Sequence, residues 1–234
     1  MDFQKYFDEL IKEVRKIFDN NKKLRVETKE DNTFVTNIDI EIDKAIKNIS
    51  SKYFNFYYYS EETSPREFKL PVLVVDPIDG TKGLVDDNGE YCVSVAYLSN
   101  ESSWGWLYYP SENRAVFSES DVSDDENVTN INFGLVSRSD FSKGLFKESS
   151  LIKPMGSIAK KLGYLSEGKC RFVFSKTPKN IWDIAAGTVL CERKNLFLYG
   201  KNGRIKDYLE HYQGPLLWCS ESDYEELWEK MNEL

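Results

Sequence analysis

The chain is poor in histidine, the side chain that most often moves protons near neutral pH. Only His211 occurs in 234 residues, in a polar stretch near the C-terminus, so we expect no histidine-based catalysis. No cysteine stands six residues before an arginine, the spacing that a cysteine-dependent phosphatase loop needs. Zinc knuckles and dithiol redox motifs are also not expected, because no CxxC pair occurs among Cys92, Cys170, Cys191 and Cys219.

Long apolar runs and an excess of positive charge are missing as well. No run approaches the roughly 20 apolar residues that cross a bilayer, and the start, Met1 to Leu10, is acidic and amphipathic rather than like a signal peptide. The net charge is −8, whereas extended contact with nucleic acid or anionic membranes needs clustered lysine and arginine. We therefore expect a cytoplasmic protein that binds neither and receives any anionic substrate locally.

Hydrophobic periodicity predicts helices and strands with no internal repeat. Helices are expected at about 3–20, 38–51 and 158–163, and from 182 onward. Strands are expected at 54–59, 71–75, 91–98, 104–109, 115–118, 133–137, 171–174, 196–199 and 216–219. Ser222 and Glu225 fit a capping box for a terminal helix. The acidic stretch 119–130 predicts a connection between an N-terminal α+β part, residues 1–125, and a C-terminal α/β part, residues 126–234.

Several carboxylates stand at the edges of apolar runs or at a helix start, rather than on a solvated helix face: Glu61, Asp76, Asp79 and Asp183. Mg²⁺ prefers such oxygen ligands and is usually held by one or two carboxylates together with substrate phosphate oxygens. Pro77 fixes the backbone so that Asp76, Asp79 and the Ile78 carbonyl can converge on one point. A turn with two aspartate caps explains the same residues about equally well.

Gly80 and Thr81, which follow Asp79, favour the metal-site interpretation. A glycine and a hydroxyl residue at a predicted helix start offer free backbone N–H groups and a positive dipole end to an anion. Metal coordination lowers the pKa of a bound water, which creates a nucleophile without histidine. Together these features predict a metal-dependent phosphomonoesterase.

The motifs resemble those of the lithium-sensitive, magnesium-dependent phosphatases that include inositol monophosphatase and the 3′(2′),5′-bisphosphate nucleotidases. The resemblance covers most of the chain and rests on four motifs in the family's order: Val35-Thr36-Asn37-Ile38-Asp39, Ser60-Glu61-Glu62, Asp76-Pro77-Ile78-Asp79-Gly80-Thr81 and Trp182-Asp183-Ile184-Ala185-Ala186-Gly187. It implies a layered αβαβα sandwich of the inositol monophosphatase and fructose-1,6-bisphosphatase type, an α/β (α+β) fold. It also implies two or three Mg²⁺ ions between the two parts, and a homodimer as one expected assembly.

The resemblance assigns roles residue by residue. The implied metal ligands are Glu61, Glu62, Asp76, the Ile78 carbonyl, Asp79 and Asp183. Asp39 and Thr81 resemble the dyad that polarises the attacking water, and Glu61 is counted with them as catalytic. The amides of Gly80 and Thr81 would hold the phosphate.

Finer details resemble the bisphosphate nucleotidase branch, which acts on adenosine 3′,5′-bisphosphate. Lys82 and the run Asn88-Gly89-Glu90-Tyr91 follow the aspartate motif as they do in that branch, and 29–33 is similar to its mobile metal-site loop. The second phosphate and nucleoside would lie near Arg138, Gly156, Ser157 and Lys160, with Arg138 and Lys160 supplying the cations. Three residues depart from the family patterns: Asp140 replaces a usual His, Phe34 replaces a usual Pro, and Lys176 stands near the substrate-binding Glu of inositol phosphatases.

Other functions remain open at this point. An inositol-1-monophosphatase or a sugar-phosphate phosphatase shares the metal motif. A haloacid-dehalogenase-type phosphatase also has an apolar strand that ends in aspartates, but its two aspartates are two apart, whereas Asp76 and Asp79 are three apart. A catalytically silent protein that binds a phosphorylated metabolite and regulates a partner is the alternative from another class, although a binder needs no complete metal set.

Overall fold

The computed structural model describes residues 3–21, 23–30, 33–63, 68–118 and 131–234. The helices in these ranges are α1 (Phe3–Asn20), α2 (Asn37–Ser50), α3 (Thr81–Val85), α4 (Arg138–Ser142), α5 (Ile158–Ser166), α6 (Ile181–Glu192) and α7 (Tyr224–Glu233). No helix among the described residues is long and apolar enough to cross a membrane.

The strands form two main sheets and two short ribbons. In chain order they are β1 (Val26–Thr28), β2 (Phe34–Thr36), β3 (Tyr57–Ser60), β4 (Val72–Asp79), β5 (Cys92–Leu98), β6 (Trp104–Tyr109), β7 (Arg114–Phe117), β8 (Gly134–Ser137), β9 (Ile152–Met155), β10 (Val173–Ser175), β11 (Lys179–Asn180), β12 (Leu196–Gly200), β13 (Gly203–Arg204), β14 (His211–Tyr212) and β15 (Leu216–Ser220). The first sheet has the order β3-β4-β5-β6-β7, and the second has the order β13-β12-β15-β10-β8-β9. The ribbons pair β1 with β2 and β11 with β14.

Alternating side chains of the central strands explain why the sheets are covered on both faces. In β4, Val72 and Val74 face one core cluster, whereas Leu73 and Val75 face another. Strand β15 divides in the same way, with Trp218 in one cluster and Leu217 in the other. Continuous apolar runs of this kind are typical of strands buried on both faces.

The elements that share each core cluster are arranged in five layers. Helices α1 and α2 pack on the outer face of the first sheet, and α5 and α6 lie between its inner face and the second sheet. Helix α7 covers the far face of the second sheet through Leu227 and Met231. The predicted αβαβα sandwich is therefore confirmed.

Element positions agree with the sequence in most places, and one capping prediction is wrong. The helix expected at about 3–20 is α1, and the apolar run at 71–75 is the start of β4. Ser222, however, lies in a 3₁₀ turn that precedes α7, whose N-cap is Asp223 and has no side-chain cap. The Ser222 hydroxyl contacts Ser220 Oγ at 3.0 Å instead. The predicted division at residue 125 lies within 119–130, outside the described residues, and stays a prediction.

Candidate active site

The site begins at an irregularity near the end of β4. The register between β4 and β5 shifts between Asp76 and Asp79, next to Pro77, which has no N–H to donate to a ladder. Both aspartates are buried, with 1% of Asp76 and 7% of Asp79 exposed. The sequence Asp-Pro-Ile-Asp thus places two carboxylates inside the protein at one end of the first sheet.

A third carboxylate, Asp183, comes from the first turn of α6. The backbone N–H of Asn180, the N-cap of α6, donates to Asp183 Oδ2 at 2.8 Å, which fixes the carboxylate at the helix start. Carboxylate oxygens of Asp76, Asp79 and Asp183 all lie within 4.8 Å of one another. The structure therefore brings together three residues that are far apart in sequence, and we call them the aspartate triad.

The electrostatics of the aspartate triad favour a bound cation. Burial, together with the neighbouring Glu61, Asp79 and Asp183 carboxylates, raises the pKa of Asp76 well above its usual range. Burial and the charge of Asp79 raise the pKa of Asp183 to about 7. Asp76 Oδ1 is buried and has no hydrogen-bond partner in the described structure. Clustered oxygen donors with one unpaired buried oxygen fit a hard divalent ion such as Mg²⁺.

Asp79 is held by the start of α5, which belongs to the C-terminal half of the chain. The Ser157 hydroxyl and the Ala159 backbone N–H both donate to Asp79 Oδ2, each at 2.6 Å. Ser157 was predicted to bind substrate, and here its hydroxyl orients a carboxylate of the aspartate triad. The two sheets thus share one site through this contact.

Glu61 and Glu62 follow β3, which runs parallel to β4, but they lie outside the aspartate triad. Lys29 Nζ, just after β1, donates to Glu61 Oε1 at 2.7 Å and to Glu62 Oε1 at 2.8 Å. Burial raises the pKa of Glu61 although the Lys29 hydrogen bond lowers it. The metal-binding roles predicted for both glutamates stay predictions. The resemblance of 29–33 to a metal-site loop placed this segment near the site, but the pairing of Lys29 with both glutamates was not predicted.

The predicted dyad of Asp39 and Thr81 forms a hydrogen bond. Thr81 Oγ1 lies 3.3 Å from Asp39 Oδ1 and 3.1 Å from the Ile78 carbonyl oxygen, and it can donate to either. Asp39 is buried at the start of α2, where it accepts from the Thr36 N–H at 2.8 Å as part of a capping box. Burial raises the pKa of Asp39, although the Thr36 hydrogen bonds lower it.

Gly80, the residue before α3, has a backbone that requires glycine. Its φ is +88°, and a Cβ atom there would lie 2.5 Å from the Glu90 carbonyl oxygen. The chain can therefore turn directly from Asp79 into α3 and place Thr81 beside Asp39.

A cavity of about 490 Å³ opens from Asp79 and Asp183. Several residues predicted to bind substrate line it: Gly80, Lys82, Arg138, Gly156 and Ser157. Two of the cations on its wall are paired with carboxylates. Lys82 Nζ lies 3.0 Å from Asp86 Oδ2. Arg138 donates to both carboxylate oxygens of Glu90, from Nε to Oε2 at 2.8 Å and from Nη2 to Oε1. Glu90 also accepts from the Gly156 N–H at 2.7 Å.

Lys160, the remaining predicted substrate cation, does not line this cavity. Its ammonium lies 2.7 Å from Glu112 Oε1 and donates to the Gly89 carbonyl at 2.7 Å. It also lies 5.3 Å from the Tyr109 ring centroid and 5.7 Å from that of Tyr164. The structure thus pairs the Lys160 charge with Glu112 and does not place it on the cavity wall, and the predicted substrate-binding role of Lys160 stays a prediction.

Three lysines on the cavity wall were missed: Lys143, which is exposed, Lys161 and Lys179. Burial lowers the pKa of Lys161 to about 8. A sequence pattern cannot tell which of two adjacent lysines faces a cavity unless the orientation of the helix is known. Lys179 directly precedes Asn180, the N-cap of α6. Its closeness in sequence to Asp183 was the one signal that could have identified it as a site residue.

Comparisons with known proteins agree with this geometry. The model of the inositol monophosphatase family matches residues 2–195. The 3′(2′),5′-bisphosphate nucleotidase CysQ of Escherichia coli is 27% identical over 218 residues, covering 83% of this chain and 87% of that protein. A fructose-1,6-bisphosphatase/inositol-1-monophosphatase of Thermotoga maritima is 27% identical over 172 residues, covering 67% of each chain.

The fold matches solved structures over its whole length. An IMPase of Thermotoga maritima superposes with a TM-score of 0.79, covers 100% of this chain and 98% of its own, and is 22% identical. That level of identity establishes the shared fold.

Proposed function

The chain belongs to the inositol monophosphatase family, and on that premise we propose that it is a bisphosphate nucleotidase that converts adenosine 3′,5′-bisphosphate to AMP and phosphate. Members of the family are Mg²⁺-dependent enzymes that hydrolyse phosphoric monoesters, and this chain is such a hydrolase. The observation that supports the finer proposal is the cavity of about 490 Å³, which joins the aspartate triad to basic side chains. Its volume is in the range of small-molecule sites.

The aspartate triad would hold Mg²⁺, and Glu61 is proposed as a further ligand through its second carboxylate oxygen. Bound magnesium supplies Lewis-acid polarisation of the phosphoryl group and of a water molecule. The donor set supports this assignment because Asp76, Asp79 and Asp183 offer carboxylate oxygens, one of them buried without a partner. Ser157 and Ala159 keep Asp79 oriented, so little reorganisation is required on metal binding.

We assign handling of the attacking water to Thr81 and Asp39. When Thr81 donates its proton to Asp39 Oδ1, its oxygen is left to accept a hydrogen bond from water. Asp39 Oδ2 is already held by the Thr36 hydroxyl at 2.5 Å, so the carboxylate cannot rotate away. The two residues together would orient the water and receive its proton.

The test is a comparison of substrates with purified protein in Mg²⁺. We expect release of the 3′-phosphate of adenosine 3′,5′-bisphosphate, with inhibition by lithium, at a kcat/KM well above that for inositol 1-phosphate. One relative is named as a fructose-1,6-bisphosphatase/inositol-1-monophosphatase, so inositol 1-phosphate is the informative competitor. Equal or faster hydrolysis of inositol 1-phosphate would reject the nucleotidase assignment and leave the phosphatase assignment in place.

A further inference from the structure

Adjacent lysines of α5 contact different partners. Lys160 is neutralised by Glu112, whereas Lys161 lines the cavity and is 2% exposed. Lys161 Nζ donates to the carbonyl oxygens of Met155 at 2.9 Å and Gly156 at 3.0 Å. These neutral acceptors hold the ammonium in place; the charges of Asp79, Glu90 and Asp140 act on it from a distance, but among the described residues it forms no salt bridge.

Lys179 brings a second ammonium to the same cavity from β11. Its Nζ donates to Thr177 Oγ1 at 2.9 Å and to the Pro178 carbonyl at 3.2 Å, which are again neutral acceptors. Besides burial, the positive charge of Lys179 lowers the pKa of Lys161. Both side chains line the same cavity, so one anionic ligand in that cavity could contact both.

Other cations on the cavity wall differ in their partners. Lys82 is paired with Asp86, and Arg138 is paired with Glu90. Among the residues that the structure describes, neither Lys161 nor Lys179 forms a salt bridge with a carboxylate, and neither does Lys143 at the exposed rim. A buried ammonium without a counter-ion is costly, and a bound anion reduces that cost.

We propose that Lys161 and Lys179 bind the phosphate group of the substrate that is not cleaved. Arg138 and Lys160, the cations first expected in this role, are both neutralised by glutamates. The inference rests on the proposed function in so far as it requires a substrate with two phosphates. It adds the two residues that select such a substrate, and it holds for a nucleoside or a sugar bisphosphate.

The test uses two substrates that differ by one phosphate, adenosine 3′,5′-bisphosphate and adenosine 3′-monophosphate. The measured quantity is the selectivity ratio, the kcat/KM for the bisphosphate divided by that for the monophosphate. Lys161→Met and Lys179→Met should each lower this ratio by about 10-fold to 100-fold, as expected for loss of a charge-assisted hydrogen bond. Lys153→Met removes an equal charge from an exposed position on β9 and should leave the ratio unchanged.

An alternative role for the two lysines is to balance the negative charge of the aspartate triad, and a Mg²⁺ titration separates the two roles. Under our proposal the selectivity ratio falls, whereas charge balance alone would change the Mg²⁺ concentration for half-maximal rate and leave the ratio as it was. Circular dichroism and thermal melting check that each variant folds. Because Lys179 is only partly buried, its variant still decides the question if Lys161→Met does not fold.

Failure of this inference can be told apart from failure of the proposed function. If the wild-type protein prefers adenosine 3′,5′-bisphosphate but the ratio is unchanged in the variants, the lysine assignment is wrong and the nucleotidase proposal stands. If no adenosine phosphate is hydrolysed, the same ratio is measured with fructose 1,6-bisphosphate and fructose 1-phosphate, which lacks the 6-phosphate. If the wild-type protein prefers the bisphosphate and the variants lose that preference, the assignment of the two lysines is supported. If the wild-type protein shows no preference, the assignment is wrong.

Discussion

The two ends of the cavity differ in how their charges are arranged. At one end the aspartate triad gathers like charges, and burial together with these neighbouring charges raises the pKa of Asp76 and of Asp183. At the other end, Lys82 and Arg138 are paired with carboxylates, whereas Lys161 and Lys179 form no salt bridge among the described residues, although their charges oppose the burial that raises the pKa of Asp79. We propose that each end binds a ligand of opposite charge: a cation at the aspartate triad and an anion at the two lysines.

The largest effect is expected from Asp79→Asn, which removes one charge from the acidic end. We expect kcat/KM to fall by roughly 10³-fold, because metal ions supply several kcal/mol of transition-state stabilisation. The fold should be kept, since an asparagine oxygen can still accept from Ser157 and Ala159. Steady-state kinetics at saturating Mg²⁺ measure the fall in kcat/KM. A Mn²⁺ titration measures the change in metal binding.

A matched control for this variant is Asp19→Asn, on the exposed side of α1. It removes the same charge far from the cavity and should leave kcat/KM within about twofold, because surface charges act weakly at a distance in salt. If Asp79→Asn retained substantial activity, the assignment of the aspartate triad as the metal site would be wrong.

The next effect concerns stability and pH at the same end. The pKa of Asp183, about 7 in the fold, lies above the value of about 3.8 for a free aspartate. Below that lower value both states are protonated, and as pH rises the folded state must ionise a buried carboxyl that the unfolded state ionises freely. Metal-free protein should therefore lose stability between about pH 4 and pH 7.

Asp183→Asn removes this penalty, so its metal-free form should melt about 5 °C higher than the wild-type protein at pH 8, with a smaller difference at pH 4. Added Mg²⁺ should reverse the order, because binding to the native state stabilises the wild-type protein more. Melting curves at both pH values, with and without Mg²⁺, test this. A variant that melts lower than the wild-type protein at pH 8 without metal would contradict the electrostatic account.

The sequence predicted the acidic end better than the basic end for a physical reason. Asp76 and Asp79 lie in one short motif, and the strand and helix edges that present them and Asp183 are visible in the hydrophobic pattern. Whether a cation is free depends on its long-range partners, as Lys160 with Glu112 and Arg138 with Glu90 show. Those partners lie 48 residues apart for each pair in the chain, and local pattern does not encode such contacts.

The same limit applies to the fold. Amphipathic periodicity was sufficient for α1 and for the buried run of β4, which each depend on their own residues. Short elements that depend on a partner were not predicted, as in the two-residue ribbon of β11 and β14. The Ser222 cap failed for a similar reason, since the chain forms a 3₁₀ turn there before α7 begins.

The smallest effect, and the sharpest test of the contrast between adjacent lysines, is expected from Lys160→Met. Because Lys160 is 3% exposed and paired with Glu112, its loss should cost about 1–3 kcal/mol, or a melting temperature roughly 5 °C lower. The selectivity ratio for bisphosphate over monophosphate should stay within about twofold of the wild-type value, because Lys160 does not line the cavity.

Glu112→Gln is the matched variant, and a double-mutant cycle with Lys160→Met should show that the two losses of stability are not additive. The pKa of Glu112 gives an independent reading of the pair: burial raises it, but hydrogen bonds from Lys160, Tyr164 and Arg114 bring it down to about 2. The stability from this carboxylate should therefore be present above about pH 4.5 and be lost toward pH 2. If the selectivity ratio fell as much in Lys160→Met as in Lys161→Met, both lysines would contribute to binding the uncleaved phosphate. The proposal that only Lys161 of this pair does so would then be wrong.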